Sequence, residues 1–290
     1  MQATRASLDA TSERIQARTG RNLILAVLIG LVLGGAMLVS LIIVKDLFMI
    51  FAIVIIGFTS FEFAQALRHA GRNVPRIPVV ICAVGVVPAA FFLGPAGQLL
   101  ATFGGILLIA LWRVALAAFP AHRAPVRAVL GDMGAGVLIQ TYVVFLASFA
   151  VLLVALPGGQ WWTLAFLLLV IIADTGAYVS GLNFGKHPLA PTISPKKTWE
   201  GFLGAALICM VAGILLALFM LDQPWWFGLI FGGLIVLSAT FGDLAESLIK
   251  RDLGIKDMSS WLPGHGGFLD RLDSILPSAG VAYALYLVFA

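Results

Sequence analysis

Long apolar runs separated by short polar interruptions make up almost the whole chain, and the interruptions are unequal. A hydrocarbon core of about 30 Å takes roughly 20 residues of α-helix. By that measure nine segments are candidate spans, at 23–44, 47–66, 77–94, 98–118, 134–156, 161–181, 201–221, 225–249 and 272–290. The third is short and contains Pro88, which predicts a kink or incomplete crossing. Nine spans alternate the connections between two faces, and the basic residues test that alternation. Arg5, Arg14, Arg18 and Arg21 precede the first span, Arg68, Arg72 and Arg76 follow the second, and Arg123 and Arg127 follow the fourth. Lys186, Lys196 and Lys197 follow the sixth, and Lys250, Arg251, Lys256 and Arg271 follow the eighth. That puts 16 of the 18 basic residues on one face; Lys45 lies on the other and Arg113 within a span. The positive-inside rule makes the rich face cytoplasmic. The opposite face has only brief connections, at 45–46, 95–96, 157–160 and 222–224, flanked by Trp161, Trp162, Trp225 and Trp226 as interfacial anchors.

Composition agrees with the pattern. The 290 residues are 61% hydrophobic and 11% charged, with a mean hydropathy of +1.04, against roughly 45–50% apolar and 25% charged in soluble domains. The expected fold is all-α: a polytopic integral membrane protein of about nine transmembrane helices, with its chemistry at the cytoplasmic leaflet. Residues 1–21 read as a cytoplasmic basic segment suited to anionic headgroups, too polar for a signal sequence. Residues 22–156 carry five spans, and 157–290 form a C-terminal region with polar loops at 182–200 and 250–271. Cys82 and Cys209 fall in apolar runs and read as small buried hydrophobes without disulfide or metal role. No internal repeat or low-complexity tract is visible.

Ionisable side chains within spans are costly and default to functional hypotheses. Here they are Glu62, Arg113, Asp174, Asp243 and Glu246. Pairing or reaching an interface accounts for Glu62 and Arg113. Asp174 opens ADTGAYVSGLNFGK, where its readings are a binding role or a hydrogen bond to a neighbouring helix. Asp243, Glu246, Ser247 and Lys250 fall at i, i+3, i+4 and i+7 and share one helix face. Asp270 and Asp273 form a second carboxylate pair at the start of the last span. Four hard oxygen donors, Asp243, Glu246, Asp270 and Asp273, suit Mg²⁺ or Mn²⁺ rather than zinc. The competing reading is an ion-pair cluster with Lys250, Arg251 and Arg271.

The loop ISPKKTWEGFLG adds Ser194, Lys196, Lys197 and Thr198 just before a span beginning near Glu200. Cations and hydroxyls at a helix N-terminus favour phosphate. The glycines of PGHGG offer backbone amides for phosphate oxygens, with His265 a phosphate ligand or a loop-shaping hydrogen bond. No Walker A sequence occurs. Carboxylate-held metal facing cationic phosphate loops is equipment for phosphoryl or nucleotidyl transfer, with no nucleic acid involved. A cation transporter is the reading from another class. It would require polar residues through both halves of the membrane, and the outer half has few.

These residues carry a resemblance. Ser247-x-Ile249-Lys250-Arg251, Lys256-Asp257 and Pro263-Gly264-His265-Gly266-Gly267-Phe268-x-Asp270-Arg271-Leu272-Asp273 resemble the signature of the phosphatidate cytidylyltransferase (CDP-diacylglycerol synthase) family. Gly242-Asp243-Leu244-x-Glu246-Ser247, Asp174-Thr175-x-Ala177-Tyr178 and Ser194-Pro195-Lys196-Lys197-Thr198-x-Glu200-Gly201 match it as well. The matching blocks lie in the C-terminal part of the chain; the first five spans resemble the family only in hydropathy. The resemblance implies that CTP and phosphatidic acid give CDP-diacylglycerol and pyrophosphate, with Mg²⁺, one or two cations, and Mn²⁺ as a substitute. It implies metal binding by Asp243, Asp270 and Asp273, helped by Glu246 and Asp257. Phosphate binding would be shared by Lys196, Lys197, Lys250, Arg251, Lys256 and Arg271. Nucleotide binding would involve Asp174 and the loop from Ser194 to Glu200, with Ser247, Gly266 and Gly267 also at the substrates. A homodimer in the inner (plasma) membrane is the implied setting. A polyprenol or dolichol kinase-like enzyme would share the metal and phosphate loops and differ in acceptor.

Overall fold

The computed structural model describes residues 23–262 and 266–290. The basic segment 1–21 and His265 with its neighbours Pro263 and Gly264 lie outside the described residues. The helices are α1 (Leu23–Ile42), α2 (Lys45–His69), α3 (Arg76–Ala117), α4 (Val126–Ala155), α5 (Gly159–Phe184), α6 (Trp199–Phe219), α7 (Trp225–Asp252) and α8 (Leu269–Phe289). Seven of them, α2 to α8, are long and apolar enough to cross a membrane. Large apolar side chains are exposed all along them, Leu100, Leu182, Phe219 and Val288 among them, where only lipid would welcome them. The chain is a helical membrane protein.

All nine predicted segments fall on helix, with the third and fourth both on α3. At 42 residues, a straight α3 would run about 63 Å, twice the hydrocarbon thickness. It does not run straight. Gly94, just before Pro95, has φ 64° and ψ −152°, a conformation open to glycine and closed to the α-helix. Beyond it Gly97 abuts the Ala89 carbonyl, and a Cβ on Gly105 would lie 3.0 Å from the Cβ of Cys82. Residues at similar separations on either side of Gly94 therefore touch, so the two arms form an antiparallel hairpin. Pro88 lies inside the first arm. Lys45 and Asp46, predicted as a tight turn, are instead the first residues of α2, and the reversal occurs at Ile43–Val44.

The basic connections meet at one end. The amide of Asn73, after α2, donates 2.8 Å to Asp132 on α4, and Asp132 also holds Arg113 of α3 at 2.8 Å. Arg251 at the end of α7 donates 3.3 Å to the Ile193 carbonyl. At the opposite end Lys45 donates to the Leu156 carbonyl and Tyr286 to that of Pro157, both at 2.7 Å. Of the two readings for Arg113, pairing or reaching an interface, the structure has the first: it is 1% exposed and its partner carboxylate 5%. Breaking one side of such a pair strands a buried charge, at a cost of about 3–5 kcal/mol. Asp132→Asn should therefore lower the thermal midpoint of detergent-purified protein by several degrees, and a midpoint equal to wild type would contradict this account.

One short antiparallel hairpin interrupts the helices. Strands β1 (Pro188–Ala190) and β2 (Ser194–Thr198) pair between α5 and α6, so the SPKKT segment is a strand rather than an irregular loop. α5 packs on α6 and α6 on α7 through small residues. Gly176 sits where an added Cβ would be 3.3 Å from Ala205, and Gly213 and Gly228 face each other backbone to backbone. Such contacts are how helices approach closely in lipid.

Candidate active site

α7 carries Asp243, Glu246, Ser247 and Lys250 on the face that looks toward the start of α8. Ser247 Oγ donates 3.3 Å to Asp243 Oδ1. Lys250 Nζ sits 2.5 Å from Glu246 Oε2, one turn below it, and 2.9 Å from Asp270 Oδ1 on α8. Glu246 is fully buried, and its Oε1 has no hydrogen-bond partner among the described residues. The second oxygen of Asp270 accepts from two backbone amides, Met258 at 3.0 Å and Gly267 at 2.7 Å. Asp270 therefore ties together three things: the lysine of α7, the loop leaving α7, and the glycine turn entering α8. Both ends of the 250–271 loop are drawn to one carboxylate.

The hairpin closes the opposite side. Lys197 of β2 forms an ion pair with Asp243. Thr198, extended at φ −125° and ψ 154°, caps α6 by accepting from the Gly201 amide at 3.1 Å. Glu200 is occupied in shaping the turn out of α5. It accepts from the Lys186 and His187 amides at 3.0 and 3.2 Å, and its Oε1 lies 2.5 Å from His187 Nδ1. Between hairpin, α5, α6 and α7 lies a cavity of about 270 Å³, with Asp174, Tyr178, Lys196, Lys197, Thr198 and Asp243 on its walls.

Asp273 and Asp174 approach the same place from the other helices. Asp273 Oδ1 accepts from the Ser274 amide at 2.7 Å, while Ser274 Oγ donates 3.4 Å to Asp174 Oδ1. Asp174, Asp243 and Asp273 are near enough to act on one another's charge. Among the described residues no three carboxylate, histidine or cysteine side chains stand together as a ready metal cage. The four carboxylates proposed from the sequence divide into two groups, Asp243 with Asp273 and Glu246 with Asp270. In the second group Lys250 and backbone amides take both oxygens of Asp270 and Oε2 of Glu246, leaving Glu246 Oε1 unpartnered among the described residues. In the first, Asp174 joins as a third acidic neighbour, and the positive charge that acts on the three carboxylates comes from Lys197, Arg271 and Lys250. Hard oxygen donors in that arrangement could hold a small divalent cation.

The remaining sequence candidates lie around this centre. Lys196, Lys256 and Asp257 are exposed, and Ser194 begins β2 at the hairpin rim. Arg251 joins α7 to the hairpin turn. Gly266, at φ 82°, closes the turn by accepting from the Leu262 amide at 2.9 Å. Arg271 lines a second cavity of about 240 Å³, whose other walls, Thr163 apart, are apolar residues of α1, α2, α4, α5, α8 and the loop before α8.

Glu62, which the sequence reading gave to pairing or an interface and left out of the site, belongs to it. It lies in α2, far from the signature blocks in sequence, yet it reaches the α8 entrance. Its Oε1 accepts from the Ser259 hydroxyl and from the Phe268 amide at 3.1 Å, and its Oε2 from the Leu269 amide at 2.8 Å. A signal was present: a carboxylate in a span with no basic residue one turn away.

The cytidylyltransferase family model matches residues 24–289. A phosphatidate cytidylyltransferase of Mycobacterium bovis is 38% identical over 278 residues, covering 92% of this chain and 89% of the relative. One from Mycobacterium leprae is 39% identical over 277 residues, covering 92% and 88%. A chloroplastic phosphatidate cytidylyltransferase 4 of Arabidopsis thaliana is 43% identical over 137 residues, 44% of this chain and 35% of the relative.

Proposed function

The chain belongs to the cytidylyltransferase family, and from that premise we propose that it joins CTP to phosphatidic acid, giving CDP-diacylglycerol and pyrophosphate. It is a nucleotidyltransferase of phospholipid synthesis. The observation that carries the assignment to this site is a pair of unlike cavities, one walled by Asp174, Lys196, Lys197 and Asp243, the other by Arg271 and the apolar residues around the start of α8. The polar one presents Lys196, Lys197 and the capped N-terminus of α6, a setting for nucleotide phosphates. The apolar one presents hydrocarbon walls and Arg271, a setting for a lipid with a phosphate at its end.

In the reaction an anionic phosphate oxygen of phosphatidate attacks the α-phosphorus of CTP. The new O–P bond forms as the bond from the α-phosphorus to the bridging oxygen breaks, and pyrophosphate leaves with that electron pair. The nucleophile is already charged, so no general base is required. The protein's work is to bring two polyanions together and neutralise the charge that gathers on the leaving group. Lys197 and Lys196 serve the nucleotide, Arg271 the lipid phosphate, and Lys250 holds Asp270 and Glu246 in place between them. Asp243 and Asp273, with Asp174 beside them, would hold Mg²⁺, which would supply charge neutralisation at the phosphates. The basic end then faces the cytoplasm, where CTP is made, in the plasma membrane.

Purified protein with labelled CTP, Mg²⁺ and phosphatidate should yield labelled lipid, and omission of the divalent cation should remove it. Label confined to water-soluble products while a lipid alcohol becomes phosphorylated would overturn this reading in favour of a lipid kinase. Lys197→Ala should raise the apparent KM for CTP about tenfold, the worth of one charge-assisted phosphate contact of roughly 1.5 kcal/mol. Unchanged KM and kcat would remove the hairpin from the nucleotide site.

A further inference from the structure

Glu62 presents a problem of placement. It sits within membrane-spanning α2, 1% exposed, where an unsatisfied carboxylate would be prohibitively costly. It is satisfied entirely by the segment that leads into α8: one hydroxyl and two backbone amides, from Ser259, Phe268 and Leu269. The first amides of any helix lack partners within it, and α8 has no side-chain cap of its own. A carboxylate from a distant helix supplies that cap, with the charge on the favourable end of the helix dipole.

Independent contacts from the same helix face hold the same loop. Phe58, Phe61 and Glu62 fall at i, i+3 and i+4, so they share one side of α2. Phe58 stacks on Phe268 at 5.4 Å and meets Trp261 edge-on at 6.2 Å, while Phe61 stacks on Trp261 at 5.6 Å. Gly267 lies flat against the carboxylate, and a Cβ there would collide with both its oxygens. The position of the Gly267 amide is thus set from one side by Glu62 and from the other by Asp270, which accepts its hydrogen.

We propose that Glu62 is a positioning residue for nucleotidyl transfer: it fixes the turn 267–269, so that Asp270 meets Lys250 and Asp273 faces Asp243. The inference rests on the cytidylyltransferase reading above. It gives the N-terminal half of the chain a part in the chemistry, through a residue that touches neither substrate.

The test compares Glu62→Gln with Asp132→Asn, which weakens a buried carboxylate of similar kind within the Arg113 pair. Both should lower the thermal midpoint. Per folded molecule, Glu62→Gln should lose at least tenfold in kcat, with the KM for CTP changed less than threefold. Asp132→Asn should keep kcat within twofold. Amide hydrogen exchange at Phe268 and Leu269 should rise at least tenfold in Glu62→Gln and not in Asp132→Asn. Coupling gives the sharper readout. Gly267→Ala alone should be nearly inactive, and Glu62→Asp/Gly267→Ala should recover part of that loss, because the shorter acid vacates the space a Cβ needs. If kcat per folded molecule in Glu62→Gln equals wild type, or falls no further than in Asp132→Asn, Glu62 is a structural cap only and the proposal is wrong. A wild-type protein that makes no labelled CDP-diacylglycerol would instead remove the reading beneath it.

Discussion

Asp270→Asn is expected to lower kcat by roughly 10²- to 10³-fold while folded protein is still recovered from the membrane. The carboxylate holds Lys250 through one oxygen and the amides of Met258 and Gly267 through the other. Asparagine keeps the volume and offers a single acceptor, so its NH₂ must face either the ammonium or the amide pair. Either choice leaves a buried donor opposite a donor, and the lost charge leaves Lys250 with Glu246 alone. Removing one partner of a buried pair costs about 3–5 kcal/mol, and each 1.36 kcal/mol in the barrier is a factor of ten. The loop packs on the edge of α2 through Trp261 and Phe268 and lies outside the helix-on-helix core, so much of that cost should appear as misplacement of the α8 entrance rather than as global unfolding. Single-turnover rates on detergent-purified protein, normalised to the folded fraction, would measure it. Activity within threefold of wild type at saturating Mg²⁺ would show that Asp270 does not organise the site.

Hydropathy made the helices legible because lipid leaves few other solutions: apolar runs of about twenty residues have to be helices. Even the third and fourth segments, which merge into one 42-residue element, were separable from sequence, since Gly94-Pro95 lies between them. The i, i+3, i+4, i+7 spacing on α7 was legible for the same reason, being a property of helix geometry. Two things were not. Which carboxylate meets which cation depends on how α7, α8 and the hairpin cross, and spacing along one helix says nothing of that. Lys250 bridges Glu246 to Asp270, whereas Lys197, reaching in from the hairpin, takes Asp243. The role of Glu62 depends on a contact across 206 residues to Phe268; the local pattern shows a carboxylate without a nearby cation but not the partner it meets. Glu200 matched a family block yet spends both oxygens on its own turn. A motif match does not by itself tell a substrate ligand from the residue that shapes its loop.

Gly242→Val should be the most damaging change that alters no charge and removes no hydrogen-bonding side chain. Gly242 precedes Asp243 on α7, where the helix lies directly against α8. A Cβ there would run into the Asp273 carbonyl and come within 2.8 Å of Pro277 Cγ. Backbone and a proline ring cannot rotate aside, so the two helices must separate. Overpacking of this kind costs about 1–3 kcal/mol in stability. The cost in turnover should be larger, because the helices that part are those bearing Asp243 and Asp273. A displacement of about 1 Å at reacting groups can cost 10²-fold. Gly242→Ala should fall between valine and wild type. Gly233, also on α7, provides the control: a Cβ there meets only Met210 Cε, at 3.6 Å. Gly233→Ala should therefore keep full activity. If Gly242→Val and Gly233→Ala behave alike, the close approach of α7 and α8 is not what brings the two aspartates together.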